Sequence, residues 1–195
     1  MHAFFLWFST GLQHILNGGA YDHLLFVILL CLSHPPAAWK KLLLLITAFT
    51  LGHSLSLAVS VIQNFHASPA MIEFLIALTI LLSALFLIYQ HFSSRKGSVI
   101  KLLFLVVFFG LIHGLGFASF LQAMLGREQS LILPLLYFNL GIEAGQLIIV
   151  LLFLVFSLLL TRLFKWPFKS YKFTILCIIS ILASKIVAER FLDFF

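Results

Sequence analysis

Long apolar runs separated by short polar, glycine-bearing or proline-bearing stretches organise the whole 195-residue chain. Seven such runs fall at about 3–17, 20–33, 42–63, 70–90, 100–125, 131–163 and 172–192. The interruptions are Asn17-Gly18-Gly19, His34-Pro35-Pro36, Ser68-Pro69, Ser93-Ser94-Arg95-Lys96-Gly97, Gly126-Arg127 and Trp166-Pro167. Each is a turn signal, because glycine loosens and proline blocks helical backbone. The last five runs exceed the roughly 18 apolar residues that mark a transmembrane helix. The first two, at 14 or 15 residues, rise only about 21–23 Å against a hydrocarbon core of roughly 30 Å. They predict either a short hairpin or one helix broken at Gly18-Gly19. No interruption is long enough for a second domain. The pattern therefore predicts an all-α, polytopic membrane bundle of six to seven transmembrane helices, with residues 1–195 as a single transmembrane domain.

Polar residues inside these runs recur in order. FGLIHGLGFA, Phe109 to Ala118, repeats the Phe, Leu, His, Leu and Ala positions of FTLGHSLSLA, Phe49 to Ala58, around His113 and His53. Each histidine is followed on the next run by a carboxylate, Glu73 in MIEFLIAL and Glu143 in GIEAGQLI. The first two runs offer a weaker third case, with His14 in GLQHIL and Asp22 followed by His23 in YDHLLFVILL. Together they suggest parallel hairpin repeats, each carrying a histidine on one helix and an acid on the next. Helical spacing adds a polar stripe of Asn139, Glu143 and Gln146, with Gly141 and Gly145 on roughly the opposite side. Thr50, His53 and Ser56 form a second connected face. Gly110, Gly114 and Gly116 read as spacers for close helix contact. A single buried histidine is commonly an interhelical hydrogen-bonding group. Three acids at one level are a different matter, because each costs roughly 2.5–3.5 kcal/mol near the membrane centre, and an ion or proton site explains that expense.

Composition settles the solvent. Mean hydropathy is +1.17, with 63% hydrophobic and only 9% charged residues, far from a soluble mixture. The net charge of +6 does not indicate a nucleic-acid partner, since the basic residues gather in short loops. Lys40 and Lys41, then Arg95, Lys96 and Lys101, then Arg162, Lys165, Lys169 and Lys172 alternate with a segment 64–69 that has no charge and a neutral Arg127-Glu128 pair. The positive-inside rule makes the three basic clusters cytoplasmic and the C-terminus external. Seven spans put the N-terminus inside; a single crossing over 3–33 moves it outside. His53 and His113 each follow a lysine by 12 residues, about 18 Å up a helix and so in the outer half of the bilayer.

Other polar residues attract simpler readings. Cys31 and Cys177 lie in apolar runs and form no Cys-x-x-Cys motif, so they read as structural thiols. The N-terminal MHAFFLWFSTG lacks the charged start and small-residue cleavage pattern of a signal peptide, and is expected to stay in the mature protein. His2, His34, His66 and His91 are expected to be solvated. Trp7, Trp39 and Trp166, with Glu189, Arg190 and Asp193, read as interfacial residues. Lys185 is expected to be buried, pairing with Glu189 or snorkelling.

The metal-ligand set is then His14, Asp22, His23, His53, Glu73, His113 and Glu143, with Thr50, Asn139 and Gln146 as polar support. Imidazole with carboxylate suits divalent nickel, cobalt, zinc or iron better than cuprous copper. HILNGGAYDHLLF, ITAFTLGHSLSLA, IEFLIALTI, FGLIHGLGFA and FNLGIEAGQL, in that order over about residues 8–150, resemble the HupE/UreJ family of bacterial membrane proteins. The resemblance implies an inner-membrane protein that takes up nickel, or sometimes cobalt, in association with hydrogenase or urease maturation proteins. Nickel and cobalt permeases carry H-x4-D-H on one helix, whereas seven residues, two of them glycine, separate His14 from Asp22. The reading favoured is membrane transport of a divalent transition metal, with no residue assigned a catalytic role. Its rivals are an intramembrane zinc or iron hydrolase or oxidoreductase on the same residues, and a membrane scaffold for metalloenzyme maturation.

Overall fold

A computed structural model of the chain describes residues 2–17, 21–65, 67–93, 99–125 and 131–194. These residues form α1 (His2–Leu16), α2 (Tyr21–Ser33), α3 (Trp39–Gln63), α4 (Pro69–Phe92), α5 (Val99–Leu125), α6 (Ile132–Arg162) and α7 (Phe168–Phe194), with one 3₁₀ turn at Pro36–Ala38 and no strand among them. Each apolar run of the sequence is thus one helix. The ends follow local chemistry. Asn64 closes α3 in the left-handed conformation, φ 51°, and the Phe65 amide donates back to the Ser60 carbonyl at 2.9 Å. Pro69 then opens α4, where its missing N–H is no loss.

Four helices, the stretch ending in α3, then α4, α5 and α6, are each long and apolar enough to cross a membrane. α1 and α2 pass that test only together, as a pair bent by 74° across their break. α7 is not among them; its polar residues, including Lys169, Lys172, Lys185, Glu189, Arg190 and Asp193, lower its hydropathy.

Three tight pairs build the bundle. α3 and α5 run parallel: Gly110 meets the backbone of Phe49, Gly114 that of His53, and the Gln122 side-chain amide donates to the Ser60 carbonyl at 2.8 Å. α1 and α6 also run parallel, with Phe4 on Tyr137, Gly141 against the Phe8 carbonyl and Gly145 against Ile15. α4 and α7 are antiparallel, since Phe74 lies on Phe191 and His91 on Phe173. Glycine makes the first two pairs so close. A Cβ at Gly11, Gly52, Gly110, Gly114 or Gly141 would collide with a facing carbonyl oxygen. Gly116 is different, with only the Ile72 and Ile76 side chains nearby, at 3.3 Å or more from a Cβ. Without water to squeeze out, such backbone approach is what gives helices in lipid their attraction.

Three expectations change here. Trp7 is buried, 1% exposed, and is no interfacial anchor, because Trp7, Gly11 and Ile15 form the stripe of α1 that enters the core. Lys185 does pair with Glu189, at 3.6 Å, but on the outside of α7, its side chain 73% exposed instead of buried, because Leu176, Ile179 and Ala183 occupy the packed face. Cys31 is buried as expected, but Cys177 only half-buried, and both are free thiols. His66 lies outside the described residues, as do the side chains of Lys96 and Lys101.

Candidate metal centre

The break between α1 and α2 decides the site. His14 ends one short helix and Asp22 and His23 begin the other, so the three are delivered from two directions instead of along one face. α3 and α5 bring His53 and His113 beside them. Ring centroids are 4.6 Å apart for His14 and His23, 5.9 Å for His14 and His53, 6.4 Å for His23 and His53, and 5.5 Å for His23 and His113. One nitrogen each from His14, His23 and His53 lies within 4.8 Å of the other two. A tetrahedral ion with bonds of about 2.1 Å would hold its ligands about 3.4 Å apart, so the imidazoles would have to draw closer together to hold one.

Hydrogen bonds select which nitrogen faces inward. His113 Nδ1 lies 2.8 Å from the Phe109 carbonyl, which can only accept, so Nδ1 carries the proton and Nε2 the lone pair. Asp22 does the same for His23. Its Oδ1 accepts from the His23 amide at 2.9 Å and sits 3.1 Å from Nδ1. A carboxylate behind an imidazole is the usual device for orienting a metal ligand. The Nε2 atoms of His14, His23 and His113 and both ring nitrogens of His53 are buried and have no hydrogen-bond partner among the described residues. Buried polar atoms are rarely left so. Of these rings, His14, His23 and His53 bring one nitrogen each within 4.8 Å of one another, an arrangement a metal would satisfy, while His113 stands beside that group.

The surroundings are unequal on the two sides. Toward the start of α3 and α5, Phe26, Phe49 and Phe109 close around His113, with Phe26 and Phe49 centroids 4.7 Å apart. On the opposite side lies an open cavity of about 900 Å³, lined by His14, Asp22, His23 and Glu73 and by Arg190 and Asp193 of α7. Phe117 covers one flank of His14 at 4.0 Å.

The remaining expected residues divide. Glu73 lines the cavity but pairs with Arg190, Oε2 to Nη1 at 2.6 Å. Glu143 does not reach the histidines; its Oε1 accepts from Thr47 at 2.8 Å, six residues before His53 on α3. Gln146 likewise accepts from Thr50 at 2.8 Å. The α6 stripe therefore braces α3. Asn139 Oδ1 is buried and has no partner among the described residues. Sequence reasoning missed Arg190 and the phenylalanine wall. Arg190 shares no spacing with Glu73, and a Phe-rich run carries no mark of which rings will surround a histidine.

No curated protein and no solved structure gives a significant match to this chain. The family described as HupE / UreJ protein, by contrast, matches residues 1–192. That family implies an accessory or transport role for nickel or cobalt, in keeping with apolar spans around a histidine cluster. The chain thus belongs to the HupE/UreJ family.

Proposed function

We propose that the protein carries a divalent transition metal, nickel first and cobalt next, across the bacterial inner membrane through His14, His23, His53 and His113, with Asp22 orienting His23. The single observation that carries this reading is the convergence of unpartnered, buried imidazoles from His14, His23 and His53, of which His14 and His23 line a large cavity. Neutral imidazoles replace part of the ion's hydration shell, and the Asp22 carboxylate offsets part of its charge. Thiolate, which would hold such a metal tightly, is absent from this set. Moderate binding suits a carrier, which must release what it takes up.

The path follows the asymmetry of the site. Metal approaches from the cavity, where α4 begins and α7 ends, and the Phe26, Phe49 and Phe109 rings bar the other side. Release requires Phe26 to leave its two partners. With the Lys40 and Lys41 loop cytoplasmic, the cavity faces outward and the C-terminus is external. The parallel course of α1 and α6 and the descent of α2 along α5 favour one broken crossing over residues 3–33. With α3 to α6, and with the more polar α7 counted as a crossing because it lies antiparallel along α4, that gives six crossings and an external N-terminus. Glu143 acts as a brace on this reading, not a ligand.

Flux of nickel and cobalt into vesicles containing the purified protein tests the proposal. His53→Ala and His113→Ala are expected to abolish uptake while eluting as the unsubstituted protein does. Undiminished uptake by both folded variants would refute the reading. Tight, stoichiometric metal without any flux would point instead to an intramembrane metalloenzyme.

A further inference from the structure

We infer that the outer end of the cavity is a second, shallow cation station built from Glu73 and Asp193, held between passages by the tethered guanidinium of Arg190. The inference rests on the transport reading above and adds how the metal is admitted.

Two observations meet here. Arg190 Nη1 lies 2.6 Å from Glu73 Oε2 and 3.8 Å from Asp193 Oδ2, so one cation sits between two carboxylates from different helices. The same cavity continues to His23, whose side chain is 6% exposed and whose Nε2 has no partner among the described residues. The carboxylates and the unpartnered imidazole therefore line one space.

Charge explains why an arginine belongs there. The described lining holds four carboxylates, Asp22, Glu73, Glu189 and Asp193, against the single guanidinium of Arg190. Glu189 also has Lys185 at 3.6 Å, outside the lining. The excess negative charge concentrates divalent cations from dilute solution. A mouth of bare carboxylates would then keep the ion, and passage needs a site that also lets go. Arg190 supplies a competitor of fixed local concentration. Its side chain and that of Glu73 are 44% and 48% exposed, and a solvated pair of this kind is weak and exchanges readily. An arriving divalent ion takes Glu73 and Asp193, Arg190 swings aside, and its return sends the ion toward the histidines.

A purely structural ion pair and a cation station predict different signs. If the pair only joins α4 to α7, removing either partner loosens the same contact, and Glu73→Gln and Arg190→Gln impair uptake alike. If Arg190 competes with metal, the two shift in opposite directions. Initial rates of cobalt uptake into vesicles decide between them. The expected result is a KM raised on the order of threefold or more in Glu73→Gln and lowered by a similar factor in Arg190→Gln. Both shifts should shrink as salt rises from about 0.01 M to about 0.15 M, where screening shortens from roughly 30 Å to 8 Å. Asp193→Asn should follow Glu73→Gln, which keeps the test open if one acidic variant folds poorly. Arg190→Lys should return KM toward the original value. Shifts of the same sign, or none, would overturn the station. A His23→Ala control separates the two layers: full uptake without His23 sinks the histidine route on which the station rests, whereas an inactive His23→Ala with same-sign shifts sinks only the station.

Discussion

Asp22 and His23 carry the most chemistry for their size. The carboxylate accepts from the His23 amide at 2.9 Å and holds the ring at Nδ1, 3.1 Å away, and so presents Nε2 to the cluster. Asp22→Asn keeps the shape and weakens the orienting charge. Its cobalt affinity, followed by the ion's visible absorption, is expected to fall about 10- to 100-fold, the range seen when an outer partner of a metal ligand is lost. An unchanged affinity would remove Asp22 from the site. Phe26 makes the complementary case on the closed side. Phe26→Ala opens the stack over His113 and is expected to produce a metal leak that no longer saturates at the concentrations that saturate the parent. Vesicle flux over a range of metal concentrations checks it. The roles of these single residues were only partly legible in advance. His53 and His113 announce themselves because a histidine in an apolar run is conspicuous. Phe26 does not, because it is one of 23 phenylalanines in an apolar chain.

Helices were easier to read than their partners. Runs of the right length bounded by Pro, Gly and Asn specify seven helices almost to their ends, since backbone hydrogen bonds in lipid must be met within the segment. Pairing is another matter. The repeat suggests that α3 closes on α4 and α5 on α6, yet the tightest contacts join α3 to α5, α1 to α6 and α4 to α7. Small residues decide it, because Gly52, Gly110 and Gly114 allow two backbones to touch, and no comparable glycine series lies on α4. Gly110→Ala would place a methyl group against the Phe49 carbonyl, where no side-chain rotation relieves it. The expected loss is on the order of 1–3 kcal/mol, as for other overpacked contacts. Gly116→Ala, facing only flexible Ile72 and Ile76 side chains, should be tolerated. Thermal unfolding in detergent ranks the two, and equal loss from both would contradict the pairing.

At the level of the whole protein, the arrangement predicts a topology. Cysteines introduced at Phe65 and Lys41 should react with an impermeant thiol reagent from opposite sides of the membrane. One at His2 should react from the same side as Phe65, if α1 and α2 make a single broken crossing. Labelling of His2 together with Lys41 would restore a seven-span arrangement. Membrane residence, helix number and the histidine-rich chemistry lay open in the chain alone, because they depend on composition and on spacing along a single helix. The common depth of His53 and His113 was legible too, as both count the same distance from a lysine. The site itself was not. Seven residues separate His14 from Asp22, which would set them about 12 Å apart along one helix, and only the sharp bend between two short helices turns that gap into convergence. Nor could spacing show that Glu143 would turn to Thr47 while Arg190, more than a hundred residues beyond Glu73, would come to share its cavity. Local pattern determines what each segment becomes. Which side chains meet depends on how closely two backbones can approach, and that is settled only when the bundle assembles.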